Sequence, residues 1–100
     1  MLPTPYAESV LDLVARVPSG RVVTYGDVAG LAGGSALSVG NVMSRFGSGV
    51  PWWRVVRAGG LLPPGHEVEA AQRLSKEQVP FRVPGERVDL ERCRWRPDVR

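Results

Sequence analysis

Glycine and proline interrupt this sequence so often that no secondary-structure element in it can be long. Twelve glycines and nine prolines occupy 21 of the 100 residues, high for a compact domain but below the roughly 25–30% of low-complexity chains. Glycine admits left-handed turns, and proline ends helices and interior strands. The chain must therefore fold as short helices and shorter strands joined by tight turns. Hydrophobic residues make up 43% of it, enough to close a small core and to exclude wholesale disorder. A hundred residues match one core of ordinary size. A second full domain is excluded, and 1–100 is expected to be a single domain.

Between the interruptions, apolar residues recur at helical spacing. Tyr6, Val10, Leu13, Val14 and Val17 predict a helix over 5–17, with Thr4 as cap and Pro5 in its first turn; Pro18-Ser19-Gly20 stops it. Arg21-Val22-Val23 reads as a short extended piece. Thr24 caps a second helix over 25–32, and Asp27 three positions on completes the pattern of a capping box. Val28, Leu31 and Ala32 give that helix its inward face. After Gly33-Gly34, Ser35 caps a third helix over 36–46, striped by Val39, Val42, Met43 and Phe46. Two short helices across a glycine turn make a helix-turn-helix pattern. An irregular turn and a strand follow over 51–57, then a loop over 59–65. A fourth helix covers about 67–78, with Val68, Ala71 and Leu74 inward. Arg87-Val88-Asp89-Leu90 reads as a last strand, and Trp95 anchors the tail. The expected fold class is mainly α with short strands, a winged helix-turn-helix-like single domain.

The other face of helix 36–46 carries Ala36, Leu37, Ser38, Gly40, Asn41 and Ser44, nearly all small. A glycine in a helix interior costs about 1 kcal/mol relative to alanine. Something outside the helix should therefore want the backbone bare at Gly40.

The formal net charge is +3, and Lys76 is the one lysine among thirteen basic residues. Arginine forks onto phosphate and stacks on bases, so the charge permits a nucleic-acid partner without establishing one. A lone cysteine, Cys93, excludes an internal disulfide, and His66 is the only histidine. No Cys/His cluster has metal spacing, so neither metal nor other cofactor is expected. No apolar run approaches the roughly 18 residues of a membrane span, and the N-terminus lacks a signal pattern. The expected location is the cytoplasm, with no membrane partner.

Three ordered blocks then carry a resemblance. Residues Pro18 to Ala29, Val39-Gly40-Asn41-Val42-Met43, and Pro51-Trp52-Trp53-Arg54-Val55-Val56-Arg57 resemble, at fitting intervals, the DNA-binding domain of the O6-alkylguanine-DNA alkyltransferases. The resemblance spans about residues 5–95 and leaves no room for the enzymes' N-terminal domain. It departs at the signature. Trp52 stands at the acceptor cysteine and Trp53 at the adjacent histidine. Alkyl transfer needs a thiolate with a neighbouring base, and an indole is neither. Tryptophan at the cysteine position marks the alkyltransferase-like proteins, which bind alkylated guanine without repairing it, so no catalytic residue is expected.

The resemblance implies that helix 36–46 enters the minor groove, with Tyr25, Ser35, Ala36, Leu37, Ser38, Gly40 and Asn41 at the DNA. A flipped base would enter a pocket of Tyr25, Pro51, Trp52, Arg54 and Val55, with Trp53 packed behind Trp52 on an extended segment. Leu37 replaces the family's intercalating arginine; it can wedge between base pairs but cannot hydrogen-bond the orphaned cytosine. Glu77 falls where the enzymes place the acid that orients their histidine.

The leading expectation is thus a non-enzymatic sensor of O6-alkylguanine in double-stranded DNA, monomeric, flagging lesions for nucleotide excision repair proteins. The alternative is a helix-turn-helix regulator without lesion specificity. It needs base-reading side chains on helix 36–46, where Asn41 and Arg45 are the candidates. An enzymatic reading makes Cys93 a displaced acceptor, its pKa lowered by Arg92 and Arg94.

Overall fold

Turns and caps place the elements of the computed structural model, which describes residues 2–97. In chain order they are α1 (Pro5–Ala15), β1 (Val23–Thr24), α2 (Tyr25–Ala32), α3 (Ala36–Phe46), β2 (Val55–Val56), α4 (Glu67–Lys76), β3 (Phe81–Val83), β4 (Arg87–Val88) and α5 (Leu90–Cys93). Single 3-10 turns occupy Gly47–Gly49, Trp52–Arg54 and Ala58–Gly60. The architecture is mainly helical with short strands, a winged helix-turn-helix-like fold. Among the described residues, no helix is long and apolar enough to cross a membrane.

Thr4 caps α1 by accepting from the Ala7 N–H at 3.1 Å. The helix closes at Ala15, two residues short of expectation. The N–H groups of Arg16 and Val17 bond to the Leu13 and Val14 carbonyls, tightening the last turn ahead of Pro18. At the start of α2 the predicted capping box is present in both directions: Asp27 N–H donates to Thr24 Oγ1 at 2.9 Å, and Thr24 N–H to Asp27 Oδ2 at 3.0 Å. The turn from α2 to α3 needs Gly34, whose φ is +78°; a Cβ there would lie 2.5 Å from the hydroxyls of Tyr6 and Ser38. Those two hydroxyls bond each other at 2.9 Å, and Tyr6 also donates to the Gly33 carbonyl. Thus α1 is fastened to the hinge of the helix pair.

The parallel pairing of β1 and β2, Val23 with Val55 and Thr24 with Val56, divides the interior. Neighbouring side chains on a strand point to opposite faces. Val23 and Val55 join Val10, Val14, Val28 and Val39 between the first three helices. Val22 and Val56 join Leu62, Ala70, Leu74 and Val88 beneath α4. Trp95, the predicted anchor, donates its backbone N–H to the Val22 carbonyl at 2.8 Å and packs against the first cluster.

Several expectations are corrected. Leu31 is 44% and Val68 73% exposed. Val28 in α2 and Leu74 in α4 are buried as expected, but Ala70 joins Leu74 on the inward face, a phase that turns Val68 outward at 100° per residue. α4 ends at Lys76, before the left-handed Gln78 at φ 63°. The segment expected as a strand over 87–90 divides into β4 and the start of α5. Phe81–Val83, for which no element is expected, pairs with β4 as an antiparallel hairpin, the wing. Three residues are too few to show a period.

Two glycines should respond oppositely to substitution. Gly60 has φ +92°, and a Cβ there would lie 2.5 Å from the Val88 carbonyl oxygen. Gly60→Ala should lower stability by about 2–3 kcal/mol. Nothing lies within 4 Å of a Cβ at Gly40, so Gly40→Ala should raise it, by up to about 1 kcal/mol. Denaturant midpoints of the two variants check both signs.

Candidate nucleic-acid interface

A cleft of about 900 Å³ opens between the helix-turn-helix and the segment that follows β2. α3 contributes Ala36, Leu37, Gly40, Met43 and Ser44 to its wall, a helical face distinct from the buried Val39 and Val42. Tyr25 enters from the first turn of α2, and Trp52 from the 3-10 turn before β2. Arg57, Pro63, Pro64, His66 and Glu69 also line it. Leu37 is 76% exposed at this cleft. Burial pushes the Tyr25 phenol up, opposed by the charge of Arg57, so it stays protonated at neutral pH.

Among the expected site residues, the structure brings Tyr25, Ala36, Leu37, Gly40 and Trp52 to one cavity. Others lie elsewhere. Ser35 and Ser38 cap α3 reciprocally: Ser35 N–H donates to Ser38 Oγ at 2.9 Å, and Ser38 N–H to Ser35 Oγ at 3.2 Å. Asn41 is exposed but outside the lining. Pro51 is half-buried at the head of the Trp52 turn. Val55 is fully buried in β2, and Arg54 points away into an ion pair. Sequence reasoning missed the wall supplied by residues 57–69. That stretch has no apolar period before α4 begins, and His66 stood out only as the single histidine.

The ion pair organises the turn that presents Trp52. Arg54 forks onto Glu77, Nε to Oε1 at 3.0 Å and Nη2 to Oε2 at 2.7 Å, while its Nη1 donates to the Val17 carbonyl at 2.9 Å. Glu77 also accepts from Gly20 N–H at 3.1 Å and from Trp53 Nε1 at 2.8 Å. Burial works to raise the Glu77 carboxyl; the hydrogen bonds from Arg54, Trp53 and Gly20 and the charge of Arg54 outweigh it and hold the group below its ordinary range. Trp53 is half-buried, flanked by the guanidinium groups of Arg73 at 4.4 Å and Arg54 at 5.3 Å. The expected extended geometry is corrected: Trp52 and Trp53 share a tight 3-10 turn and meet edge to face, centroids 5.8 Å apart at 88°. The indole N–H satisfies the acid because a donor is what a buried carboxylate needs.

Cys93 cannot act as a displaced acceptor. It is fully buried, and its Sγ donates to the Asp89 carbonyl at 3.0 Å. Burial, aided by the Asp89 charge, pushes its thiol up to about 11 despite Arg21, Arg92 and Arg94. Among the described residues, no group of three or more His, Cys, Asp or Glu could hold a metal ion.

The chain is similar to several known proteins. The family described as "6-O-methylguanine DNA methyltransferase, DNA binding domain" matches residues 5–79. A "DNA base-flipping protein" of Escherichia coli K12 is 42% identical over 96 residues, covering 90% of this chain and 74% of the relative. One of Vibrio parahaemolyticus is 30% identical over 94 residues, 88% of this chain and 93% of the relative. Among solved structures, S. pombe Atl1 in complex with damaged DNA containing O6-carboxymethylguanine superposes with a TM-score of 0.80 at 27% identity. The match covers 97% of this chain and all of that one.

The Glu77 network has a definite pH signature. Because the folded carboxyl titrates below its ordinary value of 4.5, the stability it adds is complete above that pH. It is lost as pH falls through the lower, folded value. Glu77→Ala should cost about 2–3 kcal/mol at pH 7, between the surface and buried cases, since it strands the Arg54 charge. The difference from the parent should narrow below pH 4.5, as read by urea unfolding across that range.

Proposed function

The chain belongs to the 6-O-methylguanine DNA methyltransferase DNA-binding-domain family, and from that premise we propose that it binds duplex DNA at O6-alkylguanine. It turns the altered nucleotide out of the stack and holds it against Trp52, leaving the alkyl group in place. One observation carries the reading: Trp52, at the position of the enzymes' acceptor cysteine, lines the same cleft as Tyr25 and the bare helix face at Gly40.

The physical steps follow from these residues. O6-alkylation removes the guanine N1 proton and weakens pairing, which lowers the cost of extrusion. The minor groove is only about 6 Å wide, and a helix face of Ala36, Gly40 and Ser44 lets the backbone approach it closely. Leu37 takes the space left in the stack, as apolar wedges do in other minor-groove proteins. Tyr25 guides the displaced phosphate. The extruded base stacks on Trp52, an interaction worth about 1–3 kcal/mol. No transfer follows, because an indole carries no thiolate and Trp53 accepts no proton. The unrepaired complex then serves as a flag for nucleotide excision repair proteins, as the family resemblance implies. The relatives named for base flipping, and the structural relative bound to damaged DNA, support this reading. The regulator alternative rests on Asn41 and Arg45, which are exposed on α3 but do not line the cleft.

Binding to a duplex with a single O6-methylguanine should exceed binding to the unmodified duplex at fixed salt, and Trp52→Ala should reduce that preference by about 1–3 kcal/mol with the fold intact. Equal affinities for the two duplexes would return the regulator reading; an undiminished preference in Trp52→Ala would remove Trp52 from the pocket. Leu37→Arg should tighten binding to both duplexes and steepen the salt dependence, because it adds one cation at the DNA. Titrations at two salt concentrations measure both effects.

A further inference from the structure

We infer that the cleft takes a second class of damaged base: one alkylated on a ring nitrogen of its pairing edge, and therefore cationic. This rests on the reading of the cleft as a pocket for an extruded base and adds the charge of the lesion that the pocket accepts.

The first observation is aromatic. Two of the three tryptophans lie under guanidinium groups, Trp95 under Arg16 at 5.9 Å and Trp53 under Arg73 at 4.4 Å. Trp52, the one that lines the cleft, instead meets two aromatic rings. Trp53 is 5.8 Å away at 88°, and His66 5.4 Å away at 60°, centroid to centroid. Neither ring lies flat on the Trp52 indole, so its face suits a planar group entering the cleft. Indole is also the side-chain ring that most strongly attracts a cation over its face.

The second observation is electrostatic. Glu69, in the first turn of α4, lines the same cleft. Its side chain is half exposed, and Arg73 Nε donates to its Oε2 at 3.0 Å. A carboxylate accepts at both oxygens, so Glu69 can take a ligand's donor while Arg73 holds it. A carboxylate opposes phosphate, and like charges brought together at an interface are costly. Its place in a DNA cleft makes sense when the group that enters is positive. The cation of the lining, Arg57, is already engaged: it pairs with Glu67 at 3.7 Å and donates Nε to the Leu62 carbonyl at 2.8 Å. The α3 residues of the lining carry no charge.

Methylation at N1 of adenine or N3 of cytosine blocks pairing and leaves the base positively charged at neutral pH. An exocyclic amine stays beside the new methyl group. Lost pairing lowers the cost of extrusion, as it does for O6-alkylguanine. The charge then adds two attractions that a neutral lesion lacks. The ring lies as a cation over Trp52, and the amine donates a charge-assisted hydrogen bond to Glu69.

The test compares 3-methylcytosine with 3-methylthymine, each placed once in the same duplex opposite the same base, at neutral pH and fixed salt. Both carry the same methyl group and neither pairs, but only the cytosine is a cation. The protein should bind the 3-methylcytosine duplex roughly tenfold more tightly. Trp52→Phe, which keeps a ring with a weaker pull on cations, should reduce that ratio to about threefold. Glu69→Gln, which keeps an acceptor and removes the charge, should reduce it likewise. Taking the ratio within each variant cancels any change common to both duplexes. Equal affinity for the two methylated duplexes, both above the unmodified one, overturns the proposal and leaves extrusion standing. A tenfold ratio that survives in both variants also overturns it, because the attraction would then lie elsewhere. If neither these duplexes nor one with O6-methylguanine binds more tightly than unmodified DNA, the lesion-pocket reading itself fails.

Discussion

The Glu77 carboxylate is the point at which distant parts of the chain agree on one geometry. It stands just beyond α4 and is bonded by a backbone N–H from the turn after α1, an indole N–H and a guanidinium. The same guanidinium continues to the Val17 carbonyl, so the segment just after α1 joins the set. Bidentate Arg–carboxylate pairing fixes direction as well as distance. A 3-10 turn of two tryptophans and an arginine has little intrinsic preference for its shape. Here its second and third residues are both held by one acid, and the first, Trp52, is left to face the cleft. The acid holds an indole in place as well as a guanidinium.

The parallel strand pair translates that anchoring into the helix-turn-helix. β1 and β2 contribute two residues each, yet they form the partition between two apolar clusters. β2 leads directly from the Trp52 turn and β1 directly into α2, so Trp52 and Tyr25 are carried to one cleft by neighbouring strands in fixed register. The wing adds the outer wall of the second cluster through Val88. A small domain gains rigidity here by making each buried valine face a different core from its neighbour.

Much of this was legible from the residues. Thr4, Thr24 and Ser35 announce the helix starts because capping chemistry is local, and the valine-rich stripes announce the inward faces. The small face of α3 follows from the same periodicity, whereas Tyr25 came into view only through the family resemblance. What the sequence concealed was non-local. The Trp52–Trp53 geometry depends on Glu77, some two dozen positions away, and a run of aromatic and β-branched residues reads as strand when that partner is ignored. Val68 looked inward because it is apolar, although the helix phase is set by Ala70 and Leu74. The wall at residues 57–69 comes from turns without a period, and β3 is shorter than any period can reveal.

The capping box of α2 has a consequence for how this module can be inherited. Asp27 holds not only Thr24 but also Arg94, whose Nε lies 3.1 Å from Oδ2, and the backbone beside that arginine bridges Val22. The first helix of the pair is thus finished by a residue from the far end of the chain. A helix-turn-helix closed this way is not a cassette that could be cut out and grafted elsewhere. Insertions in the intervening loops are compatible with it, whereas loss of the segment around Arg94 would open the seam beside α2.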